Sequence, residues 1–152
     1  MRIESKWIAL LALLLAGCGS SGSPSGLPMT AMQIGSKTYQ LEIAGDDASR
    51  EHGLMERDSM DADHGMIFVF SDCREQSFWM HNTRFPLDII FADDHAKVVS
   101  THSMRAYDES STYSHGAAKY AIELNVGQAA STGIKPGDKL QIPPAVATVK
   151  AN

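Results

Sequence analysis

The sequence predicts a mainly β domain, a sandwich or partly open barrel with one or two short helices. Apolar residues alternate with polar ones at the two-residue spacing of half-buried strands, as at Tyr39, Leu41 and Ile43. Residues 66–70 are apolar throughout, as expected for a strand that is buried on both faces. Short strands with turn-forming residues between them and little helical periodicity are typical of sandwiches and barrels.

The first part of this domain contains a predicted hairpin and a predicted helix. Gly35 and Ser36 form the two-residue loop between two alternating segments, which is the spacing of a tight hairpin turn. Asp46 and Asp47 are predicted to cap a short helix that extends to about Leu54, because their carboxylates accept the free amides of its first turn.

The remaining strands are predicted where alternation returns, at 77–80, 87–91, 97–99, 120–124 and 139–142. The long polar segment 103–118 shows no periodicity. It is therefore predicted to be a loop, and loops of this length are often functional or mobile.

The first 17 residues have the features of a secretory signal peptide. Arg2 and Lys6 precede an unbroken apolar run at 7–16, which is too short to span a bilayer comfortably. Residues 15–18, Leu-Ala-Gly-Cys, resemble the lipobox of bacterial lipoprotein precursors. That resemblance implies cleavage before Cys18, thioether lipidation of its thiol and acylation of the new amino terminus.

The expected mature protein is an exported lipoprotein in the cell envelope, with the membrane as its first partner. Two or more acyl chains anchor a protein stably, whereas one chain holds it only marginally. Gly19 rather than aspartate follows the cysteine, so no retention signal for the inner membrane is evident. The predicted location is the periplasmic side of the outer membrane.

The mature chain is predicted to contain one domain. Residues 18–28 form the lipidated cysteine and a flexible Gly/Ser/Pro tether, 29–144 form a single β-domain, and 145–152 form a C-terminal tail. Loss of residues 1–17 changes the formal net charge from −5 to −6, because two basic residues and one acidic residue are removed. An acidic domain lacks the basic surface that binds nucleic acid, so no such partner is expected.

No cofactor and no metal site are predicted. The six histidines show no close paired spacing, and core filling explains the methionines more simply than soft-metal binding does. Cys73 is the one cysteine that remains when Cys18 carries lipid. It is interpreted as a small buried hydrophobic residue, with a reactive thiol as the alternative.

Several sequence motifs occur in an order that resembles the motif order of the domain of unknown function 192 family. The resemblance extends from about Met32 to Ile142, and the string Trp-Met-His-Asn-Thr is its most specific part. It implies a fold similar to a small jelly-roll-like β-sandwich and implies no established activity. His81 departs from the basic residue that the family usually has there. The matching segments are 50–57, 65–70, 78–83, 86–91, 122–127 and 137–138.

Trp79, Asn82 and Thr83 are the first candidates for ligand binding. Trp79 has a ring that can stack on a ligand, and its two short polar neighbours can donate or accept hydrogen bonds beside it. The alternative is a core tryptophan followed by a turn in which Asn82 and Thr83 satisfy backbone groups.

Asp88 and Glu123 are the candidates for acid–base chemistry, since each lies in an apolar strand. Two carboxyl groups within reach of each other act as an acid–base pair in glycoside hydrolysis. The alternative is that one or both pair with Arg57 or accept backbone amides, because buried carboxylates normally have partners.

These residues together predict an envelope-anchored, non-catalytic domain that binds a small molecule or an envelope protein. A hydrolase that uses Asp88, Glu123 or both is the second hypothesis, and a structural accessory of an envelope assembly is the third. The predicted ligand-binding residues are Arg57, Trp79, Asn82, Thr83, Asp88 and Glu123, and no catalytic residue is assigned.

Overall fold

The computed structural model of the chain describes residues 23–152. The predicted signal peptide, Cys18 and the tether as far as residue 22 lie outside the described residues. Within the described part of the chain, no helix is both long and apolar enough to cross a bilayer.

The fold is mainly β, as predicted. In chain order its elements are β1 (Met29–Ile34), β2 (Lys37–Ala44), α1 (Asp47–His52), β3 (His64–Phe78), β4 (Leu87–Ala92), β5 (Val98–Met104), β6 (Thr112–Asn125), α2 (Gln128–Thr132) and α3 (Pro144–Ala147). The strands of residues 23–152 form one mixed sheet in the order β1-β2-β3-β6-β4-β5, in which β2 and β3 run parallel and the other neighbours run antiparallel. The sheet does not close, which agrees with a small sandwich or partly open barrel.

The predicted hairpin and the predicted helix are both present. β1 and β2 pair across the two-residue loop, where Gly35 has a φ of 54° and a Cβ would collide with the backbone of Thr132. At the start of α1, a carboxylate oxygen of Asp46 accepts the Ser49 amide at 2.9 Å. The Ser49 hydroxyl accepts the Asp46 amide in return, which completes a reciprocal cap.

Strands β3 and β6 are much longer than the sequence predicts. Residues 77 and 78 of the predicted strand at 77–80 are the end of β3. Of the predicted loop 103–118, residues 103–104 belong to β5 and residues 112–118 belong to β6, so the loop prediction was wrong except at 105–111. Strands β3 and β6 pair with register shifts after Val69 and after Glu75. Many side chains in this outer region are polar and exposed, so the apolar alternation is missing although the backbone ladder forms.

The chain after β6 covers the sheet instead of extending it. The predicted strand at 139–142 is reduced to a single bridge between Lys97 and Lys139. The two prolines that follow have no backbone N–H to donate to a ladder. Val146 of α3 is fully buried, so the segment 145–152 packs against the core rather than forming a free tail.

Both faces of the sheet are covered by other parts of the chain. Ile67, Val69 and Leu124 belong to the core beneath α2 and α3, and we call this side the α2 face. Met66 and Ile89 point to the opposite side, which is covered by the segments that follow α1 and β3, and we call it the α1 face. Because side chains alternate along each strand, neighbouring residues of the same strand serve different cores.

Candidate ligand-binding site

A row of side chains that crosses the α1 face contains two buried carboxyl groups. The cross-strand register aligns Glu42 of β2 with Met66 of β3, and Met66 with Glu123 of β6. Ile89 of β4 continues the row. Glu42 is 2% exposed and Glu123 is 4% exposed, so the two acidic groups flank one methionine in an apolar layer. A charge in such a layer requires a partner.

Glu42 has that partner. Arg57 donates from Nη1 to Oε1 at 2.5 Å and from Nη2 to Oε2 at 3.0 Å, a bidentate pair. Ser23 donates to Oε2 at 2.6 Å, and Ser25 donates to the same oxygen. Burial alone would raise the pKa of Glu42, but the hydrogen bonds from Arg57, Ser23 and Ser25 outweigh burial and hold the pKa below its usual value. Both terminal nitrogens of Arg57 are therefore occupied by hydrogen bonds to Glu42.

Glu123 has no such partner. Burial raises the pKa of its carboxyl group to about 8, and the charge of Arg57 offsets only part of this effect. No side chain or backbone amide within residues 23–152 donates a hydrogen bond to the carboxyl group of Glu123. No fully enclosed side-chain oxygen or nitrogen in that part of the chain lacks a partner, so the carboxyl oxygens of Glu123 are accessible from the cleft. At pH 7 the group is therefore mostly neutral, and it can both donate and accept a hydrogen bond.

Glu123 lines an open cleft of about 230 Å³ between α1 and the outer half of β3. The segment that follows α1 forms one wall and contributes Leu54 and Met55. The other wall is aromatic and consists of Phe68, Phe70, Phe78 and Trp79. The cleft is thus a largely apolar concave site with a few polar groups, among them the buried carboxyl group of Glu123, and this composition is typical of small-ligand sites.

The aromatic wall exists because β3 bends sharply. In a straight strand, ten residues separate Phe68 from Phe78 by about 33 Å, yet their ring centroids are 5.0 Å apart. The ring of Phe78 also packs edge-on against Phe70 at 6.1 Å and Phe91 at 5.6 Å. The register shifts between β3 and β6 bring the end of β3 back over the α1 face, where it encloses the cleft.

Trp79, a predicted ligand-binding residue, lies at the mouth of this cleft. It is 49% exposed, so it is not a core tryptophan. Its ring stacks on His81 with centroids 4.8 Å apart and an interplanar angle of 20°. Nδ1 of His81 lies 2.8 Å from a carboxylate oxygen of Glu109. This contact fixes the imidazole, and the imidazole supports one face of the indole ring.

Thr83 and Asn82 occupy different positions relative to the cleft. Thr83 is buried and lines it, although its hydroxyl donates to the backbone oxygen of His81 at 3.2 Å. Asn82 is exposed, does not line the cleft and has a φ of 50°, a conformation that asparagine tolerates in turns. Its backbone oxygen accepts the amide of Glu56 at 2.9 Å. Of the two alternatives for Asn82, ligand binding and a place in a turn, the structure therefore favours the turn.

Asp88 lies on the α2 face and has no access to Glu123. It is aligned with Leu124 in the β4–β6 ladder, whereas Glu123 is aligned with Ile89. Asp88 accepts the Ser103 hydroxyl at 2.6 Å and the backbone amide of Ala129, in the first turn of α2, at 2.9 Å. Asp88 therefore satisfies a buried helix terminus, and the two carboxyl groups do not form a pair.

Other reactive or ligating groups have local explanations. Within residues 23–152, the cluster with metal-ligating side chains close together is Asp93, Asp94 and His95, which follow one another in a turn. An oxygen of Asp93 accepts the amides of His95 and Lys97, as expected for a turn. Cys73 is half-buried at the first register shift of β3, so it is less enclosed than the sequence interpretation assumes.

The profile of a protein family described as an uncharacterised ACR, domain of unknown function 192, matches residues 30–142. The chain belongs to this family. The resemblance seen in the sequence is therefore confirmed. No curated protein matches the chain.

Two solved structures of similar proteins share the fold of this family member. One is a protein of unknown function from Novosphingobium aromaticivorans, with 35% identity and a TM-score of 0.72, and the match covers 78% of this chain and 89% of that one. The other, from Sinorhizobium meliloti, is named as a candidate transcription regulator. It has 34% identity and a TM-score of 0.68, with 73% and 89% of the two chains covered.

Sequence reasoning missed several residues of the site in this family member. Phe70 and Phe78 are assigned to predicted strands, and nothing in their spacing indicates that their rings meet. Arg50 lies in α1 with its guanidinium 5.6 Å from the centre of the Phe70 ring. The apolar character of 65–70 and the aromatic pair at 78–79 were the available signals, but they identify strands rather than a cleft.

Proposed function

We propose that the protein is an envelope-anchored lipoprotein whose β-domain binds a small ligand in the cleft between α1 and the bent end of β3. The observation that carries the proposal is the carboxyl group of Glu123, which is buried, unbonded within residues 23–152 and open to the cleft. No fully enclosed polar side-chain atom in that part of the chain lacks a partner, so the carboxyl oxygens of Glu123 are accessible from the cleft. A ligand in the cleft can therefore hydrogen-bond the carboxyl group, and groups with perturbed pKa values in clefts are typical of functional sites.

The aromatic wall supports binding rather than a purely structural role. Trp79 keeps half of its surface exposed at the mouth of the cleft, although the domain has two cores in which an indole could be enclosed. An exposed aromatic ring beside a concave apolar surface gains free energy when a ligand covers it. A role as a structural accessory is less favoured, because a purely structural domain needs no open cleft and would be expected to have a closed core at this position.

A hydrolase is the second candidate, and one observation favours it. A pKa of about 8 leaves Glu123 protonated at neutral pH, as a general acid requires. Glycoside hydrolysis needs a second carboxyl group on the other side of the reacting bond. Asp88, the second carboxyl group of the sequence-based hypothesis, does not supply it, since its carboxylate lies on the opposite face of the sheet. Glu51 also lines the cleft, but it lies at an exposed position of α1. We therefore favour binding over hydrolysis.

The proposed anchor is the lipid on Cys18, and the described end of the tether indicates how closely the domain is held. Ser23 donates to the buried carboxylate of Glu42, so the chain is attached to the domain from this residue onward. Five peptide steps then separate Cys18 from Ser23, and a fully extended chain of that length spans at most about 18 Å. The domain would lie close to the lipid headgroups.

The proposal includes no nucleic-acid partner. The Sinorhizobium meliloti relative is named as a candidate transcription regulator, and that name concerns the relative alone. This chain has a formal net charge of −5, whereas nucleic-acid-binding surfaces carry clustered positive charge.

The fluorescence of Trp79 tests the binding function directly. Trp7 and Trp79 are the two tryptophans of the chain, and Trp7 lies in the predicted signal peptide. Trp7→Phe in the uncleaved full chain therefore leaves a single indole, at the mouth of the cleft. We expect members of a library of small polar, charged and aromatic compounds to change its emission saturably. Glu123→Gln should weaken that binding about tenfold or more, because glutamine keeps the size of the carboxyl group but replaces one oxygen with an amide nitrogen that can only donate.

Asp88→Asn is the matched control, because it alters a carboxylate on the opposite face and should leave the affinity unchanged. Saturable binding, measured by calorimetry, that is insensitive to both Glu123→Gln and Trp79→Phe would place the ligand elsewhere and contradict the proposal. Turnover of a bound compound that disappears in Glu123→Gln, with its affinity retained, would favour the hydrolase instead.

A further inference from the structure

We propose that the cleft selects a compact organic cation, with an ammonium group against the aromatic wall and the carboxylate of Glu123 as its counter-ion. The inference deepens the proposed function and rests on the cleft being a ligand site. It follows from the aromatic rings, from the pairing of the nearby charges and from the size of the cleft.

The aromatic wall provides the surface that ammonium groups prefer. A cation near the face of an aromatic ring is attracted by the negative charge on that face, and the attraction is larger when water is excluded. Phe68, Phe70, Phe78 and Trp79 line one side of the cleft, and the edge-to-face angles among the phenylalanine rings orient them in several directions. The guanidinium of Arg50, 5.6 Å from the centre of the Phe70 ring, is a cation that this wall already binds.

The fixed positive charges near the cleft are already paired. Nη1 of Arg50 donates to the backbone oxygens of Gly45 and Val69, and Nη2 donates to the carboxylate of Asp47. Both terminal nitrogens of Arg57 donate to Glu42. An anionic ligand would therefore find no uncommitted arginine in the described residues around the cleft.

The acidic groups that line the cleft are not paired in this way. Glu51 lies at the cleft and takes part in none of the ion pairs formed within residues 23–152. Glu123 lies deeper and has no hydrogen-bond partner in that part of the chain. The chain as a whole is acidic, and a cleft lined by carboxyl groups concentrates cations.

The size of the cleft limits the part of the ligand that enters it. Its volume of about 230 Å³ is below the range of roughly 300–1,000 Å³ that is usual for sites of drug-sized ligands. A trimethylammonium or a primary ammonium head group is a compact occupant, and a longer ligand would continue along the exposed face of Trp79. A large planar or polyanionic ligand fits neither the volume nor the charges.

Binding of a cation should also release a proton from Glu123. The free carboxyl group is mostly neutral at pH 7, because burial raises its pKa to about 8. A positive charge beside it favours the ionised form and lowers that pKa, so up to about one proton leaves on binding. The other ionisable groups around it are Arg57 and Glu42 on the same face, Arg50, Glu51 and His52 of α1 across the cleft, and His102 on β5 beyond Ile89.

Choline and its uncharged carbon analogue, 3,3-dimethylbutan-1-ol, provide a matched pair of probes for the full chain that carries Trp7→Phe. We expect choline to bind at least about tenfold more tightly than the alcohol, by titration of Trp79 fluorescence. Glu123→Gln should remove most of this preference and leave the weak affinity for the alcohol unchanged. Glu51→Gln, at an exposed position, should reduce choline affinity by a smaller factor that disappears at high salt.

Calorimetry in buffers of different ionisation enthalpy supplies a second readout. Choline binding should release protons in the Trp7→Phe protein at pH 7 and release none in the Glu123→Gln variant. Equal or tighter binding of the alcohol would overturn the cation inference and still support a ligand site in the cleft. Absence of binding for both choline and a primary amine such as propylamine would also overturn the cation inference. The proposed function would then be decided separately, by the library test.

Discussion

Glu42 and Glu123 are two buried glutamates at nearly the same depth in one layer, and their pKa values are shifted in opposite directions. Both carboxyl groups are buried on the α1 face, on either side of Met66. Glu42 receives both arms of Arg57, so its pKa is held low and its charge is retained. Glu123 receives no hydrogen bond from the described residues, so burial dominates and its pKa rises to about 8. The hydrogen-bond partners, rather than burial alone, decide the protonation state.

This difference predicts how stability depends on pH. The pKa of Glu123 is about 8 in the folded protein, against an ordinary value of 4.5. Between these values the folded state holds a proton that the unfolded chain has lost, so raising the pH favours unfolding. As the pH rises, the free energy of unfolding of the wild-type protein should fall relative to that of the Glu123→Gln variant. The slope of this difference should be at most about 1.4 kcal/mol per pH unit.

Urea unfolding of both proteins between about pH 5 and pH 8 measures this slope. The comparison isolates Glu123, because His102, whose pKa is lowered by burial and by nearby His115, is present in both proteins. The contribution of Glu42 has the opposite sign and is lost only as the pH falls below the usual range of a carboxyl group. Parallel stability curves for the two proteins would show that Glu123 is already ionised in the folded state.

At the scale of elements, short helices depend on contacts from outside themselves. α2 has five residues, begins after Gly127 and has no side-chain cap of its own. Asp88 of β4, on the face of the sheet that α2 covers, supplies the missing acceptor, and its carboxylate accepts a 2.9 Å hydrogen bond from the Ala129 amide. A negative charge near the first turn of a helix is also favourable. The helix therefore exists because the α2 face presents a carboxylate at that position.

Asp88→Ala should destabilise the domain by about 1–3 kcal/mol, because the buried Ala129 amide loses its acceptor. Urea unfolding measures the loss, and hydrogen exchange at the Ala129 amide localises it. Ser103→Ala removes only the other hydrogen bond of Asp88 and should cost less, about 0.5–1.5 kcal/mol. If the Ala129 amide keeps its protection in Asp88→Ala, the capping role is wrong. Probe binding in the cleft should be unaffected by either change.

At the scale of the whole molecule, the bent strand β3 and the N-terminal attachment lie on the same face of the sheet. The serines that precede β1 donate to Glu42, in the same cross-strand row as Glu123. A lipid on Cys18 would therefore hold the domain by the side that carries the cleft. With that proposed anchor, the short reach of the five intervening peptide steps would limit how far this side can turn from the membrane.

The anchor itself is tested by Cys18→Ser. The thioether can form only on the thiol, so this variant should remain an uncleaved precursor without the lipid, and radiolabelled palmitate should not enter it. Cys73→Ser is the matched control, because it removes the other cysteine and should leave the label intact. Incorporation of palmitate into Cys18→Ser would contradict the assignment.

The sequence by itself determined the fold class, the hairpin at Gly35, the capped helix after Asp46 and the family. Each of these depends on local information, such as a two-residue alternation, a turn dipeptide or a capping residue. It did not determine the long pairing of β3 with β6, because the outer half of that ladder is polar and exposed on many of its side chains. The prediction of a loop at 103–118 was wrong at 112–118 for that reason.

The tertiary structure alone decided which predicted site residues act together. Trp79, Thr83 and Glu123 meet at the cleft because register shifts bend β3 and bring its end back over the α1 face. Asp88 is excluded from the cleft because the β4–β6 register places it on the opposite face of the sheet from Glu123. Sequence periodicity states which residues of one strand share a face, but the register between strands decides which carboxyl groups become neighbours.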